Sequence, residues 1–378
     1  MAAAKRKKSA ATIDDLPEAL QLRILAYLNA KDAVQTMILS KTWVSLWTRI
    51  PVLEFNYFSF KNLNVFNKFV NEVLRRRDHS ARLDSLKFID TIRSSTQLLN
   101  RVFDYAFSHG VKQLEASIQS FGRNSWPVSL CNLLTSLKLQ SRTDKIDCPF
   151  LGPGSTSFKN LTDLHLYGVR ITSIEPFSGF PMLESLTLLY SELSIYGSID
   201  QILRVYSLGL LHLTISGCTR INRCELRTPK LKFMEYRGYD FPKDEENLSD
   251  LETLVIDSRG FYRYSYMDEQ QEKQLNEDLL CLFSRVPNVK SLTLFSPTFH
   301  LLHLFPDELE RRSSPFREVK KLKLDFRVSC RRSVRLNSFD KYGKGYLLPH
   351  VPVVEFSVTC PQVYEWSADD LSDVSEFN

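Results

Sequence analysis

One six-residue pattern recurs from residue 80 onward: an apolar residue, two variable ones, an apolar residue, one variable, then a third apolar residue. It stands as LDSLKF at 83–88, LTSLKL at 134–139, LTDLHL at 161–166, LESLTL at 183–188 and LGLLHL at 208–213. LKFMEY at 231–236, LETLVI at 251–256, VKSLTL at 289–294 and VKKLKL at 319–324 continue it, and VKQLEA at 111–116 is a degenerate copy. IPVLEF at 50–55 and VPVVEF at 351–356 look like end copies. Successive starts between 83 and 319 lie 28, 23, 27, 22, 25, 23, 20, 38 and 30 residues apart. A single copy says little, because leucines at i and i+3 also suit a helix. Nine good copies at near-regular spacing say much more. Each copy is a short strand with its second and third apolar residues turned inward, and it covers that core only by stacking on its neighbours.

Between the early copies the spacing of apolar residues changes to that of helices. Residues 66–78 put Phe66, Phe69, Val70, Val73 and Leu74 on one stripe. Residues 95–110 do the same with Leu98, Leu99, Val102, Phe103, Ala106 and Phe107, and Gly110 is a good stop signal. The period and the LxxLxL core resemble a leucine-rich repeat. That resemblance implies an α/β fold, a curved solenoid of about ten to twelve irregular repeats over 59–362, with a parallel strand layer on the concave side. The Asn or Cys that often follows such a core is missing, with Arg142, Val169, Ser191 and Pro297 in its place. A regular turn ladder is therefore not expected. The 38-residue gap between Leu251 and Val289 holds an aromatic loop, FYRYSYM at 261–267, and then a helix pattern over 269–286.

Residues 12–50 read differently, as three short helical patterns with more apolar surface than so small a unit can hide. Asp15 caps the first, Pro17 and Glu18 open it, and Leu16, Leu20, Ile24, Tyr27 and Leu28 share one wide face. Leu22 and Leu25 lie on the opposite side. The second pattern follows the turn at Asn29–Asp32 with Val34, Met37, Ile38 and Leu39. The third opens at Ser40 and stacks Trp43 over Trp47, with Val44 and Leu46 alongside. Such an excess of apolar side chains marks a docking surface.

This stretch resembles an F-box of the kind common in plants. The matching residues are Leu16-Pro17, Ile24-Leu25, Leu28, Lys31-Asp32-Ala33-Val34, Leu39-Ser40-Lys41, Trp43 and Leu46-Trp47. Asn29-Ala30 stands where the family has Leu-Pro, and Thr42 and Val44 stand where it has an Arg on each side of the first Trp. The expected organisation is a basic tail over 1–11, the F-box over 12–58, the repeats over 59–362 and an acidic tail over 363–378.

The resemblance to leucine-rich F-box proteins implies a non-catalytic substrate-recognition subunit of a Skp–cullin–F-box ubiquitin ligase. Leu16, Pro17, Leu20, Ile24, Leu25, Leu28, Val34, Leu39, Trp43 and Trp47 would grip a Skp-type adaptor, which brings the cullin and the RING protein. The repeats would hold a target protein near the conjugating enzyme, so that the mechanism is proximity rather than side-chain chemistry. Variable positions beside the inward leucines form the expected target face: Lys138, His165, Tyr167, His212, Glu235, Arg237, Phe295, Lys321 and Lys323. Two other readings stay open. In one, the helices merely cap the first repeat of an interaction scaffold acting outside a ligase. In the other, a basic chain binds phosphate or nucleic acid.

Charge bears on that last reading. Ten Lys or Arg against Glu318 and Asp325 give residues 311–335 a net charge of +8, which would attract an acidic or phosphorylated ligand or else form a solvated outer face. Nucleic acid ranks lower, because no base-reading motif accompanies the charge. No catalytic motif is present, and the chain has only 13 glycines. His300 and His303 lack a third ligand, and the seven cysteines form no CxxC pair, so neither a metal nor a cofactor is expected. No run of 18 apolar residues exists and no signal peptide opens the chain, which excludes a membrane span by sequence. Lys5, Arg6, Lys7 and Lys8 fit either a nuclear import signal or a solvated basic tail, and the expected location is the nucleus and/or cytoplasm.

Overall fold

A computed structural model describes residues 13–90, 95–119, 128–141, 145–148, 150–152, 158–238, 240–243, 247–258, 268–327, 344–347 and 353–359. The basic tail, the aromatic loop at 261–267, the acidic tail and the arginines at 331, 332 and 335 lie outside the described residues, as do the side chains of His300 and His303. The chain divides into two compact units, Met1–Ser198 and Ile199–Asn378.

The first unit opens with three short helices, α1 (Glu18–Leu25), α2 (Ala30–Gln35) and α3 (Trp43–Leu46). Its main sheet is parallel and contains β1 (Val52–Asn56), β2 (Ser85–Ile89), β3 (Gln113–Ser117), β4 (Ser136–Gln140), β6 (Asp163–Tyr167) and β8 (Ser185–Leu189) in that order. The alternation of the sequence pattern becomes two ladders of buried side chains. Leu53, Leu86, Leu114, Leu137, Leu164 and Leu186 stand in register, and beside them Phe55, Phe88, Ala116, Leu139, Leu166 and Leu188. Every one is sealed from solvent. The first apolar residue of each copy, such as Leu134, Leu161 and Leu183, is buried at the turn before the strand.

Behind the strands lies a second layer that changes along the chain. Helices α4 (Leu63–Arg76) and α5 (Thr96–Ser108) bury the stripes expected of them, except that Phe69 is half-buried. Asn62 and Ser95 cap them by accepting from the N–H groups of Val65 and Leu98. Gly110 ends α5 at φ 75°, a conformation that costs other residues strain. Further on the helices give way to a small outer sheet, β5 (Ile146–Asp147), β7 (Val169–Ile171) and β9 (Glu192–Leu193). Phe150, Phe158, Phe177 and Phe180 are buried in that part of the chain.

The second unit repeats the plan with β11 (His212–Ser216), β13 (Phe233–Gly238), β14 (Thr253–Ser258), β15 (Ser291–Phe295), β16 (Lys321–Arg327) and β17 (Val353–Thr359), all parallel. Its inward ladders are Leu213, Met234, Leu254, Leu292 and Leu322, and Ile215, Tyr236, Ile256, Leu294 and Leu324. An outer pair, β10 (Ile202–Tyr206) and β12 (Arg223–Arg227), and the helix Glu269–Ser284 supply its second layer. That helix starts on a capping box between Asp268 and Gln271.

The copy at 208–213 is shifted by two residues from the sequence reading. Leu208 is exposed, Leu210 is the buried first position, and Leu213 and Ile215 point inward against Met234 and Tyr236. His212 is thus the first residue of its strand, and it is exposed.

A backbone link joins successive repeats at the start of their strands. At nine strands the carbonyl of the residue immediately before the strand accepts two N–H groups from the next repeat. Thr135 O accepts from Thr162 and Asp163 at 2.9 and 3.0 Å, and Thr162 O from Glu184 and Ser185 at 2.9 Å each. Pro51, Asp84 and Lys112 do the same in the first unit, and Leu211, Lys232, Glu252 and Lys290 in the second. Because backbone groups make this link, side-chain identity at the turns is free to drift.

Candidate interaction surfaces

The amino-terminal helices sort their apolar residues into two sets. Leu25, Trp43, Leu46 and Trp47 are buried, the tryptophans at only 1% and 6% exposure. Ile24 at 40%, Leu39 at 55% and Ile38 at 88% are open, as are Leu20, Tyr27 and Val44. The reason for the sorting is local. On α1 the inward stripe runs through Gln21 and Leu25, so Leu20, Ile24 and Tyr27 are carried round to the outside. Gln21 donates from Nε2 to the carbonyls of Ile13 and Asp14 at 3.2 and 3.3 Å. Trp43 Nε1 and Ser40 Oγ each donate to Asp14 Oδ1 at 2.8 Å. The first tryptophan is therefore a pin that holds residues 13–15 against the third helix.

The expected contacts of Leu25, Trp43 and Trp47 with a partner are corrected accordingly: these side chains fill the interior of the helical unit and present nothing outward. Pro17 is exposed and Leu16, Leu28 and Val34 are half-buried, so these remain on the accessible side with Leu20, Ile24 and Leu39. Pro17, not Asp15, occupies the N-cap of α1. Asn29, at one of the two departures from the F-box pattern, caps α2 by accepting from Asp32 N–H at 3.0 Å, and its amide donates to the Asp32 carboxylate at 2.7 Å. A cap at this point does what a proline at the first helical position does elsewhere, fixing where the helix begins. Lys31 joins the helices to the first repeat, donating to Ser59 O at 2.7 Å with its ammonium 5.2 Å from the centre of the Phe60 ring.

The outward side of the first unit's sheet carries a row of alternating charge. Glu54, Lys87, Glu115, Lys138 and His165 stand side by side, followed by Thr187. Lys87 Nζ lies 3.5 Å from Glu115 Oε1. Burial, and then the neighbouring Lys138 ammonium, push the pKa of His165 below the ordinary imidazole value, which favours the neutral ring. Acid and base alternate along the row, so it presents little net field. Tyr167 closes its strand beside Tyr190, ring centres 5.2 Å apart.

In the second unit the corresponding surface is less balanced. Arg237 pairs with Glu235 at 2.6 Å and lays its guanidinium over the Phe295 ring at 4.4 Å. Phe295 is buried beneath it, which corrects its placement on the open face. Lys321 is exposed, and Lys323 lies 3.7 Å from the buried carboxylate of Asp325.

Comparison with known proteins agrees with both parts. The F-box domain model matches residues 13–55. An F-box/LRR-repeat protein of Arabidopsis thaliana, number 13 of its series, is 30% identical over 323 residues, covering 78% of this chain and 66% of that protein. A second F-box/LRR-repeat protein of the same plant is 26% identical over 304 residues, covering 75% and 79%. An F-box/FBD/LRR-repeat protein, also from Arabidopsis, is 24% identical over 314 residues, covering 78% and 68%. The chain carries an F-box domain and is similar over most of its length to F-box/LRR-repeat proteins.

The F-box ends within β1, so its last residues are already the first strand of the repeat sheet. F-box domains bind Skp-type adaptors, and the open aliphatic residues on α1 and around residues 38–44 are the part of this one a partner can reach. Tyr27, Ile38 and Val44 were missing from the expected contact set although they are among its open apolar side chains. Helical spacing on α1 placed Tyr27 on the same face as Leu20 and Ile24, which was the available signal. Among the described residues no group of His, Cys, Asp and Glu is arranged to hold a metal, and no helix is long and apolar enough to cross a membrane.

Proposed function

We propose that this chain is the substrate-recognition subunit of a Skp–cullin–F-box ubiquitin ligase. The F-box docks on a Skp-type adaptor, and through it on the cullin and RING protein, while the repeats hold a target protein for ubiquitination. The observation that carries the reading is the pairing of an F-box match with open aliphatic residues on those same helices. Leu20, Ile24, Tyr27, Ile38, Leu39 and Val44 meet the adaptor; Leu16, Pro17, Leu28 and Val34 support the edge of the contact; Leu25, Trp43 and Trp47 hold its shape from within. The chain contributes no side-chain catalysis, only a raised local concentration of target lysines. It works in the nucleus and/or cytoplasm.

The target meets the outward strand residues, Lys138, His165 and Tyr167 in the first unit and His212, Glu235, Arg237, Lys321 and Lys323 in the second. An acidic or phosphorylated group on it is suited to the exposed Lys321 of β16, with the half-buried Lys323 two residues on. The scaffold reading draws on the Lys31 contacts to Ser59 and Phe60, which tie the helices to the first repeat as a cap would. One experiment separates the two. The full chain is co-expressed with a Skp-type adaptor, and co-purification is compared with that of an Ile24→Glu, Leu39→Glu variant. Charges at these open positions leave the buried set untouched, so the expected result is loss of the adaptor with an unchanged melting temperature. An unmodified chain that fails to capture adaptor, or a double variant that still does, rejects the ligase reading.

A further inference from the structure

The segment between the helix Pro306–Glu310 and β16 reads Arg311-Arg312-Ser313-Ser314-Pro315-Phe316-Arg317, and the strand face makes no use of it. It has no regular secondary structure, and Arg311, Arg312, Ser313 and Arg317 are exposed, with Ser314 half-exposed. The two arginines reach the Glu308 carboxylate only at 3.9 and 4.0 Å, the outer limit of an ion pair, and so stay available to a stronger anion. Ser314 Oγ accepts one bond, from Phe316 N–H at 3.3 Å. Pro315 biases Ser314 toward an extended backbone, the conformation in which a substrate chain lies along a kinase cleft. The far side of the segment is anchored by Phe316, buried with its ring centre 5.1 Å from that of Phe283, and by Arg317 N–H donating to Pro287 O at 3.0 Å.

We infer that Ser314 is a phosphoacceptor, and that its phosphate weakens the positive charge leading into β16. Proline at +1 with arginine at +3 suits a proline-directed kinase; arginines at −3 and −2 suit an arginine-directed one. In either case Ser314 Oγ attacks the γ-phosphorus of MgATP. The new O–P bond forms as the bond to the β–γ bridging oxygen breaks, ADP leaves, and the hydroxyl proton passes to the kinase's base. The product carries a charge of about −1.5 to −2 and three acceptor oxygens. Arg311, Arg312 and Arg317 are the cations within the segment to receive them, displacing Glu308. Residues 308–323 hold six cations against three acids, net +3, so one phosphate removes half or more of that excess. The assignment of the acceptor stands on this segment alone; only its consequence for an acidic target rests on the receptor reading above.

The test uses the full-length chain, MgATP and each kinase class in turn, with a synthetic peptide of residues 308–320 as a positive control. Fragment mass spectra should place one phosphoryl group on Ser314; Ser313→Ala should keep it and Ser314→Ala should lose it. The modified chain should leave a heparin column at lower salt than the unmodified one, with no such shift for Ser314→Ala. Kinases that modify the peptide but leave the folded chain untouched, or incorporation that survives Ser314→Ala, overturn the acceptor. Modification without an elution shift overturns the charge switch.

Discussion

The F-box helices and the repeat strands spend the same kind of residue in opposite ways. In the repeats every inward leucine of both ladders is sealed from solvent. In the F-box, Ile38 and Leu39 lie open although the sequence around them is no less apolar. Geometry accounts for the difference. A strand sends alternate residues to opposite sides, so LxL puts both leucines on the core side and the variable residue out. A helix of six or eight residues turns one stripe inward, and apolar residues spread around its circumference cannot all be hidden. The repeats answer the problem by stacking on one another. The F-box packs on the first strand and around its own tryptophans, and part of its apolar surface stays open.

The contrast is broken most severely by emptying either interior. Trp43→Ala should cost about 3–5 kcal/mol, and Leu164→Ala in the strand ladder about 2–5 kcal/mol, both read as a lowered denaturation midpoint. Stability unchanged by Trp43→Ala would mean that the tryptophan is not the pin its bond to Asp14 makes it. A smaller effect isolates the helix start. Asn29→Ala removes the α2 cap and should cost about 1 kcal/mol, with the repeats unaffected in hydrogen exchange. A loss that spread into β3 or β4 would show that the F-box and the repeats fold as one cooperative body.

The smallest expected effect concerns pH. His165 has a pKa below that of the unfolded chain, so below the ordinary imidazole range the unfolded state binds a proton that the folded state refuses. Stability should therefore fall as pH drops through that range, and His165→Gln should flatten this part of the curve while leaving stability above it unchanged. An identical acid limb in the variant would remove His165 from the account.

How much of this was legible beforehand depended on whether a pattern admitted one frame or two. The copies at 134–139 and 161–166 allow a single frame, and their strands lie where the pattern put them. At 208–213 the leucines at 208, 210, 211 and 213 offer two, and only the match of Leu213 and Ile215 to Met234 and Tyr236 on the next strand selects between them. The outer layer was legible where helices form it, in α4 and α5, because their stripes are long. It was not legible where it becomes two- and three-residue strands, which are too short to show a period. The turn connections were hidden for another reason. They run through backbone carbonyls, and a sequence does not record which carbonyl accepts twice.

By itself, then, the order of residues determined the repeat, the parallel strands it implies and the helical unit at the amino end, because side-chain periodicity alone dictates which face of an element is apolar. Tertiary structure alone decided which apolar residues of the F-box are spent inside and which are offered. Trp43 and Ile38 are both large and apolar, and only the packing of three short helices on one strand seals the first while leaving the second open.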